Sequence, residues 1–157
     1  MLPASYSISL GMVGIFFICS VAIVTTLIMI SCSDVRHRLI SNQLVFALGC
    51  AILPYSILLH GNIYFVPALV ILAIGFFLFL IHIIGAGDIK LLSILVLAIP
   101  PSQLMFFFFF VTVLGVILAL GGLIFFRRNV KERGLPYGVA IAGGFLLQEV
   151  LFFPLVS

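Results

Sequence analysis

The sequence predicts an all-α, polytopic membrane protein of about six transmembrane helices, and three observations predict it. Hydrophobic residues make up 65% of the chain and charged residues only 7%. Mean hydropathy is +1.50. The apolar residues also fall in long unbroken runs, separated by short stretches that hold almost every charge. An ordinary soluble domain is about 45–50% apolar and about 25% charged. A chain this apolar cannot cover a water-facing surface, so its solvent is largely lipid.

The runs are long enough to cross. A helical span needs about 20 residues, because each residue rises about 1.5 Å and the hydrocarbon core is about 30 Å thick. Six spans are predicted: Ser7–Cys32, Gln43–Leu59, Ile63–Ile84, Asp88–Ile99, Leu104–Phe126 and Leu135–Val156. The fourth is short, confined between the Gly85-Ala86-Gly87 break and Pro100-Pro101. Non-helical backbone at membrane depth is tolerated only where protein or water covers it. A broken, wet pocket is therefore expected at that break. The run Phe106–Phe110 reads as a lipid-facing part of the fifth span, and the small residues Ala47, Ala51, Gly121, Gly122, Gly143 and Gly144 as places where helices approach closely.

Orientation follows from the basic residues. Arg36 and Arg38 adjoin the first loop, Lys90 the third, and Arg127, Arg128, Lys131 and Arg133 occupy the fifth, which accounts for all seven Lys and Arg residues. The positive-inside bias makes these loops cytoplasmic and puts both termini outside. The net charge of +3 on one face suits anionic lipid headgroups. It offers no basic groove with aromatic platforms, so no nucleic-acid partner is expected. No soluble domain, linker or repeat is visible, and the expectation is one integral-membrane domain over residues 1–157, in a prokaryotic inner or cytoplasmic membrane.

The chain contains only two aspartates, Asp34 and Asp88, both on the predicted cytoplasmic side. Taken singly, each has an ordinary explanation: Asp34 pairs with Arg36 or Arg38, and Asp88 caps the fourth helix. Taken together they are the minimum equipment for splitting a peptide bond with water. Two carboxyl groups facing each other across a wet pocket cannot both ionise easily, so they share a proton. The ionised member takes a proton from water, and the protonated member donates one to the carbonyl oxygen. That chemistry needs no nucleophilic side chain, cofactor or metal. Gly85 and Gly87 beside Asp88 permit close backbone approach, where an extended peptide can lie.

Gly85-Ala86-Gly87-Asp88-Ile89-Lys90-Leu91 resembles the Gly-x-Gly-Asp-x-Lys-Leu signature of type IV prepilin peptidases. Asp34 to Asn42 resembles that family's other aspartate motif, with Ser41 where proline is common. Leu135-Pro136-Tyr137-Gly138-Val139-Ala140 resembles the Pro-Tyr-Gly segment that opens its last span. Presenilin-like proteases share Gly-x-Gly-Asp, but a tyrosine precedes their first aspartate, and here Ser33 stands there. The resemblance implies an aspartic endopeptidase of the Gly-x-Gly-Asp type that removes short basic leaders from prepilins at the cytoplasmic membrane face. It implies Asp34 and Asp88 as the catalytic pair, with Gly85, Gly87, Lys90 and Asn42 in supporting positions. Nothing matches the Cys-x-x-Cys segment of the larger bifunctional members, so methylation of the new N-terminus is not expected. The pattern resembles the compact peptidases of tight-adherence (Flp-type) pili, or preflagellin peptidases.

Other polar residues carry weaker signals. Cys19, Cys32 and Cys50 lack metal-ligand spacing and read as buried or lipid-facing thiols. His37 and His82 flank the aspartates in sequence, and an interfacial position accounts for both. His60 falls in an opposite loop. Glu149 lies well inside the sixth span, about 20 Å from its start at helical rise, and no partner for it is evident from sequence. Two rival readings use the same residues: an ion or proton pathway through the membrane carboxylates, and an inactive scaffold of a pilus assembly machine.

Overall fold

The computed structural model describes residues 10–125 and 135–156. Among these are six α-helices and no strand: α1 Leu10–His37, α2 Asn42–His60, α3 Phe65–Leu80, α4 Ala86–Val96, α5 Leu104–Phe125 and α6 Tyr137–Val156. A single 3-10 turn, Pro101–Gln103, precedes α5. Three segments are long and apolar enough to cross a membrane: Gly11–His37, Asn42–His60 and Pro101–Gly122. Phe65–Leu80 and Tyr137–Phe152 are shorter apolar helices. Side chains such as Met105, Phe46 and Phe77 stand 84%, 75% and 69% exposed, so the outer surface is itself apolar, as a lipid solvent requires. The basic residues predicted in the fifth loop, Arg127, Arg128, Lys131 and Arg133, lie outside the described residues.

The short helix α4 is the centre of the packing. It has 11 residues, about 16 Å at helical rise, too little to cross a bilayer by itself. It packs against α2, α3 and α6, and its Leu91, Leu95 and Val96 are fully buried. With Leu27 and Ile30 of α1, Leu48 and Ile52 of α2, and Ile141 and Phe145 of α6, they form one core. The backbone where α4 stops is satisfied rather than left bare. The Leu97 carbonyl accepts the Tyr64 N–H at 3.1 Å and the Ser56 hydroxyl at 3.1 Å. Ser56, fully buried, also reaches the Asn62 carbonyl at 2.6 Å. Burial of an unpaired carbonyl costs about 1–3 kcal/mol, and this knot removes that cost.

Small residues set two of the helix contacts. A Cβ on Gly144 would lie 2.6 Å from Val111 Cγ2 and 2.9 Å from the Val111 nitrogen, so α5 and α6 meet backbone to backbone there. A Cβ on Gly75 would lie 2.5 Å from Ile89 Cγ2, which fixes α3 on α4. Gly121 faces open space instead. The phenylalanine run is not wholly lipid-facing either: Phe109 is 61% exposed, but Phe107 is fully buried in the core. A 3.6-residue period turns one member of any such run inward.

Several helix boundaries differ from expectation, the third helix for example running Phe65–Leu80 and not Ile63–Ile84, and two of the differences bear on the aspartates. Helix α1 continues through Ser33 to His37, so Asp34 sits in its last turn and not in a loop. Arg36 and His37 there favour continuation, because cations stabilise a helix C-terminus. The chain then turns at Arg38, whose φ of 55° is left-handed, with its N–H on the Asp34 carbonyl at 3.0 Å. Helix α4 begins at Ala86 with Gly85 as its cap, two residues before the expected start, which puts Asp88 in the first turn.

Candidate active site

Three stretches distant in sequence meet at one end of the bundle: the junction of α1 and α2, the first turn of α4 and the first turn of α6. Asp34, from α1, is 6% exposed. Its Oδ2 accepts the backbone N–H of Gly138, from α6, at 2.8 Å across 104 residues of sequence. An amide in the first turn of a helix has no partner within the helix, so the α6 terminus has this donor to give. Arg38 follows one turn later, near enough for its charge to act on Asp34.

Asp88 lies within electrostatic reach of Asp34, so the fold brings the two aspartates to the same site. It is half-buried and bends back over the start of α4, where a Cβ on Gly85 would lie 3.2 Å from its Oδ2. Ile40 fills the space between the two helix termini. A Cβ on Gly87 would stand 3.0 Å from Ile40 Cβ, and one on Gly138 would stand 3.3 Å from Ile40 Cδ1. Gly87 therefore lets the start of α4 pack closely on Ile40. Gly85 and Gly87 do not use glycine's left-handed freedom; the positive φ angles nearby belong to Arg38 and His82, at 55° and 60°. Backbone strain of that kind costs about 1–3 kcal/mol and clusters at functional sites.

Two of the four supporting positions, Lys90 and Asn42, meet each other. The Lys90 ammonium donates to Asn42 Oδ1 at 3.0 Å, joining the first turns of α4 and α2 beside the aspartates. Ser33 Oγ donates to the Leu39 carbonyl at 2.9 Å and fastens the turn that follows Asp34. An open apolar groove of about 650 Å³ runs between α3 and α4 and reaches Ala86, Ile89 and Lys90, the same turn that carries Asp88.

His37 is exposed, and His82 turns its Nδ1 to the Leu80 carbonyl at 3.1 Å. Neither contacts an aspartate among the described residues. Glu149 acquires the partner that sequence reasoning missed: the Tyr55 hydroxyl donates to its Oε2. No group of three or more His, Cys, Asp and Glu side chains placed to hold a metal occurs among the described residues. Gly138 is the site residue that composition and spacing left without a role. Its signal was the Pro136-Tyr137-Gly138 segment, a helix start on the same side as both aspartates.

A search of curated proteins found no match, and neither did a search of solved structures. The model of the type IV leader peptidase family matches residues 21–120. That stretch covers more than half of the chain and contains both aspartates, Asn42, Gly85, Gly87 and Lys90, and it ends before Gly138. The chain belongs to the type IV leader peptidase family.

Proposed function

We propose that this protein is an aspartic endopeptidase of the Gly-x-Gly-Asp type that cleaves the basic leader from type IV, Flp-like prepilins at the cytoplasmic membrane face. The observation that carries the reading is the meeting of Asp34 and Asp88 at one end of the bundle, within reach of each other's charge. Family membership supports a leader-peptidase activity. In this reading Asp34 and Asp88 share one proton and deliver water to the scissile carbonyl, with no cofactor or metal. Lys90 and Asn42 hold the first turn of α4 in place, and Gly87 lets that turn close on Ile40. The chain is one membrane domain of six spans, with α4 as the short fourth span shielded by its neighbours, the aspartates toward the cytoplasm and both termini outside. The basic residues all falling in or beside odd-numbered loops support that orientation.

The test is co-expression with an Flp-type prepilin, followed by the mass of the pilin. Cleavage gives a mass lower by a leader that ends in glycine, with no methyl group added. An unchanged mass across a panel of prepilins contradicts the reading.

A further inference from the structure

The two aspartates share a site but not an environment. Asp34 is buried, accepts an N–H at Oδ2, and feels the positive charge of Arg38. Asp88 is half-buried, and among the described residues no hydrogen-bond donor reaches its carboxyl group. The charge acting on it is that of Asp34. Both lie near helix N-termini, Asp34 against α6 and Asp88 in the first turn of α4, while Asp34 also sits in the last turn of α1, whose dipole opposes a negative charge there. The direct hydrogen bond and the arginine act the other way and favour the carboxylate at Asp34. A backbone N–H can only donate, and a hydrogen bond donated to a carboxyl group favours its ionised form over its protonated one. The contact is also tight: a Cβ on Gly138 would lie 2.8 Å from Oδ2 and 3.2 Å from Cγ of Asp34. No other residue type at 138 leaves the carboxyl where it is.

We propose that Gly138 is a positioning residue that holds Asp34 as the carboxylate of the pair, making Asp34 the base and Asp88 the acid. This rests on the peptidase reading and assigns the roles within it. Water attacks the scissile carbonyl carbon; its proton passes to Asp34, and the Asp88 proton passes to the carbonyl oxygen. A gem-diol results. Asp34 then gives its proton to the departing amide nitrogen as the C–N bond breaks, and Asp88 recovers one from a gem-diol hydroxyl. The products are one acid and one amine, and the pair returns to its starting state.

Among the described residues, the groups facing Asp34 are few. Helix α1 and the turn after it supply Arg38, and α4 supplies Asp88. Lys90 of α4 is turned to Asn42 of α2. Tyr137 of α6 packs near Gly115 of α5, where a Cβ would meet its ring at 3.4 Å, and α5 has no charged residue. Perturbing Gly138 therefore perturbs Asp34 first.

The experiment is the pH–rate profile of the full-length protein in lipid, with an Flp-type prepilin as substrate, for wild type and Gly138→Ala. The variant is expected to lose at least about tenfold in kcat with KM unchanged, since a positioned base contributes about 10²–10⁴-fold. Its acid limb moves to higher pH by roughly one unit, because the ionised base has lost its donor. Arg38→Gln, which removes a charge without adding a methyl group, moves the same limb in the same direction and decides the matter if Gly138→Ala does not accumulate. An acid limb that stays put, or a basic limb that moves instead, overturns the assignment. If Asp34→Asn and Asp88→Asn both still cleave, the peptidase reading fails and takes this inference with it. If both are dead and the acid limb is unmoved, the inference alone fails.

Discussion

Carboxyl groups are held at two places among the helices of this protein, and their surroundings differ in one respect that bears on what each can do. At one end, Asp34 accepts a backbone N–H and lies within electrostatic reach of a second carboxyl group, Asp88. Toward the other end, Glu149 accepts a hydrogen bond from Tyr55, whose ring stacks on Phe16 at a centroid distance of 5.2 Å. Glu149 lies 11 residues beyond Gly138 on α6, about 16 Å away by helical rise. A phenol of ordinary acidity cannot exchange protons with a carboxyl group at neutral pH as a second carboxyl can. The Glu149 end therefore has a satisfied polar pair, and the Asp34 end has the two carboxyl groups that the proposed chemistry needs. A lone membrane carboxyl group is not evidence of catalysis; in the proposed reading it is the second one that matters.

The contrast can be broken in order of expected effect. Asp34→Asn removes one member of the pair and is expected to lower leader cleavage by at least about 10²-fold, read by pilin mass, with the protein still in the membrane. Asn42→Ala or Lys90→Met removes the 3.0 Å bond between the first turns of α2 and α4. Loss of one exposed hydrogen bond worth about 1 kcal/mol is expected to slow cleavage by about fivefold. Tyr55→Phe leaves Glu149 without its donor and is expected to lower thermal stability by about 1–3 kcal/mol while cleavage stays near wild type. EDTA is expected to change nothing. Loss of cleavage with EDTA, restored by zinc, contradicts an aspartate-only site.

Much of this was legible in the sequence, for identifiable reasons. Composition forces the lipid solvent, and the two aspartates stand out because the chain has no others. Lys90 and Asn42 were picked by motif, and they touch. What could not be read were contacts between helices. Sequence periodicity gives a helix its faces but not its neighbours, so the bond from Gly138 to Asp34 and that from Tyr55 to Glu149, which span 104 and 94 residues, left no local trace. The burial of Phe107 within five consecutive phenylalanines is the same problem, since a uniform run has no apolar face to prefer. The end of α1 was misplaced because polarity after Cys32 resembles a loop, whereas Ser33 to His37 contains no residue that stops a helix. The left-handed turns at Arg38 and His82 fall on residues that rarely adopt them, so propensity points elsewhere.

The most direct test sets the two ends side by side: Asp88→Asn and Glu149→Gln, each co-expressed with the same Flp-type prepilin, with pilin mass and membrane level measured together. The account predicts intact prepilin with Asp88→Asn and fully processed pilin with Glu149→Gln, both proteins being present at wild-type level. Processed pilin with Asp88→Asn, or loss of processing with Glu149→Gln, contradicts it.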